Sequence, residues 1–430
     1  MQYCARCLYP ANAKPTIIMD EEGICSGCRY HESRKKLEIP WSERREIFEQ
    51  ILDEARRMAK ARGNSHDCIV PVSGGKDSHY QVWLLKKKYG MNPLLVTFNH
   101  IYNTPAGLRN LSNLVEKSGC DLVRYTAGTD AVRRISRYML ETVGDLTWHY
   151  HAGIRTFPFQ VAVQYNIPLI VWGEHGFAEL TGIVTLDDFV EFTKWTRKEH
   201  DMRGYEPHQL IGKGGITEGD IRPYIYPSDD DIARVGVRGI YLSNFFPWDA
   251  KEHAELMIRE WNFGTVTFER ERTFNLNAKI EDHANDVHDY LKYLKFGYGR
   301  ATDDASMEIR HGRMTREEGI EMVRRYDARE PKSLEMYCDF LGITKAEFYA
   351  IVERMRDPAI WEKDASGEWY PKDSVINHPI GALEEAARVE QSNDRTLAEA
   401  NRQLYYNPAC PPLKTGEAAL DEQSPTFRIL

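Results

Sequence analysis

Four cysteines near the start of the chain are arranged as two close pairs. Cys4 and Cys7 form the run CARC, Cys25 and Cys28 form the run CSGC, and 17 residues separate the pairs. Two short turns that each present two thiolates can close a tetrahedron around Zn²⁺. An iron–sulfur cluster or redox-active thiols are the alternatives. Because four protein ligands leave no open coordination position, the spacing predicts structural Zn²⁺.

A second group of residues suited to chemistry is the stretch VSGGKDS, which follows the apolar run CIVPV and precedes a helical pattern. Glycines allow close backbone approach, and amides that lead into a helix point at an anion. Lys76, which we expect on a solvent-facing loop, adds a positive charge, and Asp77 could orient the loop or help to hold Mg²⁺. The candidate phosphate contacts are Ser73, Gly74, Gly75, Lys76, Asp77 and Ser78. The stretch is not a Walker loop, since the first glycine of that motif is missing and Asp77 follows the lysine.

SGGKDS resembles the pyrophosphate loop (PP-loop) of the ATP pyrophosphatase superfamily, which includes GMP synthetase, NAD synthetase, asparagine synthetase and the tRNA thiolases. The resemblance implies cleavage of ATP between its α and β phosphates, with catalytic Mg²⁺ and transfer of AMP to a substrate oxygen. Two strand ends fit this setting. VTFNH, with Phe98 and Asn99, could recognise the nucleoside. In VWGEHG, Glu174 could ligate Mg²⁺ and His175 could contact phosphate or substrate, although a structural or solvated role remains open for each.

The elements that must position these residues alternate between strand-like and helical patterns. Such alternation predicts an α/β fold with a doubly wound parallel sheet, in which ligands bind beyond the carboxyl ends of the strands. The predicted strands are 68–72, 93–98, 121–126 and 167–173, and a later strand-like run is 239–246. The predicted helices between them include 105–118, 130–143 and about 154–166.

The chain divides into four predicted regions. Residues 1–40 form a zinc-ribbon-like module, and residues 41–300 form a PP-loop domain with an irregular insertion, or lid, at about 176–236. Residues 301–362 are helical, and 363–430 are a tail of unknown role. Around Gly342, two helical patterns meet at a turn, which favours simple helical packing over DNA binding.

Composition limits the classes of function. The chain has 430 residues, 42% hydrophobic and 28% charged, and a net charge of −9. The acidic balance disfavours a general nucleic-acid binder. Because the sequence shows neither a signal peptide nor an apolar run of about 18 residues, we expect a cytoplasmic protein without membrane contact.

Read together and in this order, YCARCLYP, CSGC, SGGKDS and YLKFGYGRATDDAS resemble the N-acetyl sugar amidotransferase family over roughly residues 1–360. The resemblance implies conversion of an acetamido sugar, which we expect to be nucleotide-linked, into an acetamidino sugar of O-antigen or nonulosonic acid biosynthesis. It also implies that Lys295 and Arg300 face phosphates or an acidic sugar and that Asp303 or Asp304 binds Mg²⁺. The alternative for these helical charges is solvation. Arg155, among the aromatics of WHYHAGIRTFPF, suits a sugar pocket or the core.

The ammonia for such a reaction needs a source. A built-in glutaminase requires a cysteine nucleophile at the amino terminus or in an elbow. Cys4 belongs to the metal cluster, and Cys68, Cys120, Cys338 and Cys410 lie in no elbow motif. We therefore expect a separate glutaminase subunit, as the family resemblance also implies.

Two other functions compete with this interpretation. A tRNA thiolase would combine the same loop with a cysteine zinc module, but it needs an RNA surface and a sulfur-carrying cysteine near the site. A regulatory scaffold would bind ATP without releasing pyrophosphate.

Overall fold

The fold was examined in a computed structural model that describes residues 1–35, 39–184 and 189–379. Residues 380–430 of the predicted tail (363–430) lie outside the described residues. Residues 185–188 of the predicted insertion lie outside them as well.

Five parallel strands form the central sheet. Their order is β3-β2-β1-β4-β5, and the register pairs Ile69 with Leu94 on one side and with Ile170 on the other. The strand order reverses between β1 and β4, where open parallel sheets place their ligand crevice. The strands are β1 (Cys68–Pro71), β2 (Pro93–Asn99), β3 (Leu122–Thr126), β4 (Leu169–Trp172) and β5 (Arg238–Tyr241).

Helices cover both faces of this sheet. Because side chains alternate along a strand, Cys68 and Val70 of β1 share one apolar cluster with Met257, whereas Ile69 packs in a different cluster with Phe159. The predicted α/β fold with a parallel sheet is confirmed. The helices up to the end of the sheet are α1 (Ser26–Lys35), α2 (Trp41–Ala61), α3 (Lys76–Trp83), α4 (Pro105–Ser118), α5 (Thr129–Val143), α6 (Trp148–Tyr165), α7 (Gly176–Thr181), α8 (Lys194–Thr196), α9 (Glu218–Ile221), α10 (Asp229–Val235) and α11 (Ala250–Trp261).

The carboxyl-terminal part of the described chain is helical, as predicted, up to Glu353. An antiparallel hairpin then follows, which the weakly patterned sequence did not indicate. These elements are α12 (Ala284–Phe296), α13 (Arg300–Arg310), α14 (Arg316–Tyr326), α15 (Ser333–Leu341), α16 (Lys345–Glu353), β6 (Trp361–Lys363) and β7 (Trp369–Pro371).

The amino-terminal module has little regular structure besides α1. Isolated bridges join Tyr3 to Pro10 and Met19 to Cys25. Its apolar residues, such as Leu8, share one core cluster with Ala305 of α13 and Val323 of α14. The module is therefore packed onto the carboxyl-terminal helices, about 300 residues away in sequence.

No helix in the described part of the chain is both long enough and apolar enough to cross a membrane.

Candidate active site and metal cluster

All four cysteines of the amino-terminal pairs are buried, and their sulfur atoms lie within 4.8 Å of one another. The sulfur atoms are 3.5 Å apart for Cys7 and Cys25 and 3.9 Å apart for Cys4 and Cys28. Zn–S bonds of about 2.3 Å in a tetrahedron place sulfur atoms roughly 3.8 Å apart. The residues therefore fit a closed, structural Zn²⁺ site, and the predicted buried cluster is confirmed.

Arg310 links this cluster to the sheet. Its Nη2 lies 3.5 Å from the sulfur of Cys25 and 3.8 Å from that of Cys7, and its Nη1 donates to the carbonyl oxygens of Glu179 and Leu180 at 3.1 and 2.8 Å. Those carbonyls belong to α7, which follows β4. The side chain of Arg310 thus joins the cysteine cluster directly to a helix near the carboxyl ends of the strands.

Glycine makes the contact between the module and α7 close. A Cβ atom on Gly27 would lie 2.7 Å from the carbonyl oxygen of Leu180, and one on Gly182 would lie 2.3 Å from that of Ser26. The Ser26 hydroxyl also donates to the carbonyl of Thr181 at 2.5 Å. Side chains larger than hydrogen at the two glycines would separate α1 from α7.

The loop between β1 and α3 has the backbone geometry of an anion cradle. Gly74 has φ +87°, and a Cβ atom there would lie 2.8 Å from the backbone nitrogen of Leu111, so this position requires glycine. The amide of Ser73 donates to the Ser78 hydroxyl at 3.0 Å, and that of Gly75 donates to the Ser73 hydroxyl at 3.2 Å. No described side chain caps the start of α3. Its first amides are therefore placed to bind a phosphate group.

Lys76 and Asp77 begin α3 as an ion pair. Lys76 Nζ donates to Asp77 Oδ2 at 2.7 Å, and His253 Nδ1 lies 3.9 Å from Asp77 Oδ1. Lys76 is only 8% exposed, so our expectation of a solvent-facing lysine is wrong. Burial opposes its charge, but Asp77 more than offsets that effect and the pKa of Lys76 is raised. Both groups are therefore charged at neutral pH.

Glu174 follows β4 at the neighbouring strand end. Its side chain is exposed to a cavity, but enclosure by the surrounding protein, together with the negative charge of Asp77, raises the pKa of Glu174 to about 7. Asp77 and Glu174 both line the same cavity. Their carboxylates are oxygen donors of the kind that Mg²⁺ prefers. His175 beside them caps α7, because its Nδ1 accepts from the amide of Ala178 at 3.3 Å.

One cavity of about 890 Å³ unites most of the predicted site residues. Its walls come from the loops after β1 and β4, from the segment 275–281, and from α12 and α13. Lys14 of the amino-terminal module also lines it. The predicted residues on its wall are Ser73, Gly75, Lys76, Asp77, Ser78, Arg155, Glu174, His175, Lys295, Arg300, Asp303 and Asp304. Thr196 and Asp201 of the predicted insertion line it too.

Three predicted nucleotide contacts are not among the residues that line this cavity. Gly74 lies against Leu111 beneath the loop. Phe98 is buried and stacks on Tyr125 with ring centroids 5.4 Å apart. Asn99 accepts a hydrogen bond from the amide of Ile101 at 3.1 Å within the same buried region.

Lys295 and Arg300 line the cavity but are already engaged by the protein. Arg300 makes two bonds to the Asp289 carboxylate at 2.9 and 2.8 Å and lies 3.3 Å from Asp303. Lys295 donates to the carbonyl oxygen of Gly144 at 2.8 Å, and burial lowers the pKa of its ammonium to about 8. Burial raises the pKa of Asp304, on the same wall, to about 6. Arg300 is therefore held by acidic groups at the site, whereas Lys295 is held by a backbone carbonyl.

The sequence analysis missed a polar group at the Lys295 side of the cavity. Asp145, His151 and His288 all line it. One signal was present, since His288, Lys292 and Lys295 have the i, i+4, i+7 spacing of a single helix face. His151 stood within a stretch that we interpreted only for its aromatics and Arg155.

Comparison with known proteins supports a family for the carboxyl-terminal part. Residues 263–373 match the family model described as "LPS biosynthesis protein WbpG-like, C-terminal domain". This match supports the resemblance to the N-acetyl sugar amidotransferase family and indicates a role in polysaccharide biosynthesis. An uncharacterized protein of Methanocaldococcus jannaschii is 28% identical over 156 residues, which are 34% of this chain and 54% of that protein. The chain thus spans about half the length of this relative.

Proposed function

We propose that this chain, whose residues 263–373 carry the WbpG-like C-terminal domain of LPS biosynthesis proteins, is an ATP-dependent N-acetyl sugar amidotransferase. It would convert the acetamido group of a nucleotide-linked sugar into an acetamidino group and release AMP and pyrophosphate. One observation carries the proposal. The SGGKDS loop lies at the strand-order reversal and lines a cavity that is also lined by residues of the WbpG-like segment.

The loop would bind the β and γ phosphates of ATP. Backbone amides at the start of α3 and the hydroxyls of Ser73 and Ser78 are donors, and the buried charge of Lys76 offsets the negative charge that develops on pyrophosphate. Mg²⁺ would be held by Asp77 and Glu174 and would neutralise part of that phosphate charge. The donors are fixed before reaction, so little reorganisation accompanies bond cleavage.

The rest of the cavity would hold the sugar. An amide is a poor electrophile because its nitrogen donates into the carbonyl, and its oxygen is a poor leaving group. Attack of the carbonyl oxygen on the α phosphorus breaks the α–β bond and gives an O-adenylated imidate with pyrophosphate as the other product. Ammonia then adds to carbon, one proton is lost from the former ammonia, and AMP leaves with the oxygen. The product is an amidine, in which NH has replaced oxygen and which takes up a proton from water to become an amidinium at neutral pH.

Ammonia would come from a separate glutaminase subunit. The structure places Cys68 in β1 and finds Cys120 and Cys338 buried. None of these three lines the cavity. We expect ammonium salts to support turnover by the purified chain, whereas glutamine alone should not. Turnover with glutamine alone would contradict the need for a partner.

The test is to incubate the chain with ATP, Mg²⁺ and ammonium salt against acetamido sugars, free and nucleotide-linked, while measuring AMP, pyrophosphate and product mass. The expected result is sugar-dependent release of both products and a sugar about one mass unit lighter, since NH replaces oxygen. A Lys76→Met variant is the control for contaminating activity. Turnover with tRNA, or a tRNA gel shift at moderate salt, would instead favour a thiolase. ATP binding without cleavage would favour a regulatory scaffold.

A further inference from the structure

A hydrogen-bond network on the cavity wall is centred on the hydroxyl of Thr147. This hydroxyl lies 2.7 Å from Asp145 Oδ1, 3.3 Å from His151 Nδ1 and 3.1 Å from His288 Nδ1. The second carboxylate oxygen of Asp145 accepts from Arg203 Nε at 2.8 Å. The three contacts of the hydroxyl equal its full capacity of one donor and two acceptor positions.

The network determines where the protons are. Burial disfavours the charged form of Asp145, but the cationic Arg203 is the largest opposing effect and the pKa of Asp145 lies well below the usual range. An ionised carboxylate only accepts, so Thr147 must donate its single proton to Asp145. Both imidazoles must then donate from Nδ1 to the lone pairs of Thr147. Each ring is left with a lone pair on Nε2.

Both rings are neutral at physiological pH and face the cavity. Burial lowers the pKa of His288 to about 4 and lowers that of His151 well below its ordinary value. Both side chains are half-buried and line the cavity, with ring centroids 5.7 Å apart. Within the described part of the chain, the hydrogen bonds found for the two rings involve Nδ1 and not Nε2. Two adjacent acceptors are therefore offered to whatever fills this part of the cavity.

The charges around the pair act in both directions. Burial is the largest effect and keeps both rings neutral, whereas Asp145 favours and Arg203 opposes the protonated form of each ring. A neutral ring whose Nδ1 donates to Thr147 can accept an N–H donor at Nε2. The reaction proposed above supplies donors of this kind, and Asp145 would stabilise a ring that takes up a proton.

We propose that the Nε2 atoms of His151 and His288 accept hydrogen bonds from the two neutral N–H donors of the reaction, the acetamido N–H of the sugar and the attacking ammonia. This inference rests on the proposed function and assigns it two further catalytic residues. As the C–N bond forms, the C–O bond to AMP breaks with its electron pair going to AMP. One proton of the former ammonia passes to an Nε2 and from there to solvent.

The proton positions are tested first, without turnover. In protein labelled with ¹⁵N-histidine, the signals of the two rings are assigned from the single variants. We expect a protonated Nδ1 and an unprotonated Nε2 for both rings from pH 6 to 8. A ring protonated at Nε2 would overturn the proposal whether or not the chain is an amidotransferase.

Ligand binding is tested by adding the acetamido sugar that turns over and its O-acetyl analogue, which lacks the N–H. The N-acetyl sugar should shift at least one Nε2 signal, and the O-acetyl analogue should leave both unchanged. Equal shifts with both sugars, or with neither, would overturn the acceptor role. If no sugar in the panel is a substrate, the proposed function fails, and this outcome is separate from a wrong proton position.

A matched pair of substitutions distinguishes catalysis from scaffolding. In His288→Asn the amide nitrogen can still donate to Thr147, but the Nε2 acceptor is lost. In His288→Gln the terminal amide reaches the Nε2 position and can supply an oxygen there, but the donor to Thr147 is lost. We expect kcat/KM for ammonium to fall about 100-fold or more in the Asn variant, as for loss of a general base, and less in the Gln variant. A structural role predicts the reverse order, with activity following the thermal midpoint.

Discussion

The cysteine cluster and the cavity are both built from polar side chains, yet the cluster is local and closed whereas the cavity is distributed and open. The cysteines come from one stretch of the chain, and their sulfur atoms converge to 3.5–3.9 Å. The cavity collects charges from strand ends, from the amino-terminal module and from α12 and α13, and leaves about 890 Å³ between them. Side chains that converge on one metal ion stabilise the fold, whereas side chains arranged around an open cavity bind a ligand. Substitutions in the two regions should therefore affect different properties.

The largest expected effect is on stability, from a change in the cluster. Cys25→Ser should abolish stoichiometric zinc and destabilise the protein by more than about 4 kcal/mol, because binding of structural Zn²⁺ contributes directly to folding. The thermal midpoint should then fall by at least about 4 °C. Metal analysis and thermal unfolding measure both effects. Cys338→Ser is the control, since this thiol is also buried but lies outside the cluster.

A zinc-free Cys25→Ser protein with an unchanged midpoint would remove the structural assignment and with it the contrast between the two regions.

A change in the loop should instead act on turnover. Lys76→Met removes the only positive charge of SGGKDS and should lower kcat/KM for ATP by about 10²–10³-fold, as loss of a preorganised electrostatic donor does. It also leaves Asp77 without its partner, so some loss of stability is expected. Lys76→Arg is the control, because it keeps the charge while replacing a point charge with a planar fork. Steady-state kinetics and thermal unfolding measure the two effects.

We expect the Arg variant to keep the midpoint of the wild type and to lose most of its activity. An active Lys76→Met variant would mean that the loop does not bind the reacting phosphates.

The smallest effect concerns pH. Because the pKa of Glu174 is about 7, its carboxylate fraction rises about tenfold from pH 6 to pH 8. If the carboxylate binds Mg²⁺, kcat/KM for ATP should rise with pH over this window, and Glu174→Gln should be less active and flat. The pKa of Glu174 in the folded protein lies above its ordinary value of 4.5, so this group's contribution to stability falls as pH rises from about 4.5 to 7. An unchanged pH profile in the Gln variant would exclude Glu174 as the titrating ligand.

The difference between the two regions also explains what the sequence could reveal. The cysteine cluster and the strand–loop–helix unit are encoded by contiguous residues, and the structure has both where the spacing predicts them. The exposure of Lys76 was predicted wrongly, because the segments that bury it come from elsewhere in the chain. Helix α6 begins at Trp148, earlier than the predicted residue 154, so the start of the helix that carries His151 was missed.

The acceptor pair illustrates the limit most clearly. His151 and His288 are 137 positions apart in sequence, and only their shared contact with Thr147 reveals which nitrogen of each is protonated. Residue types and periodicity carry no information on a proton position that depends on a contact between distant helices.

The link between Arg310 and the cluster has a consequence for synthesis of the protein. Arg310 lies 285 residues after Cys25. At roughly 5–20 residues per second, a ribosome needs about 15–60 s to reach it after the second cysteine pair has been made. During that interval the apolar side of the module has no α13 or α14 to pack against. Early capture of a metal ion would hold the nascent module in shape until its docking partners emerge, so zinc supply would govern the yield of folded protein as well as its lifetime.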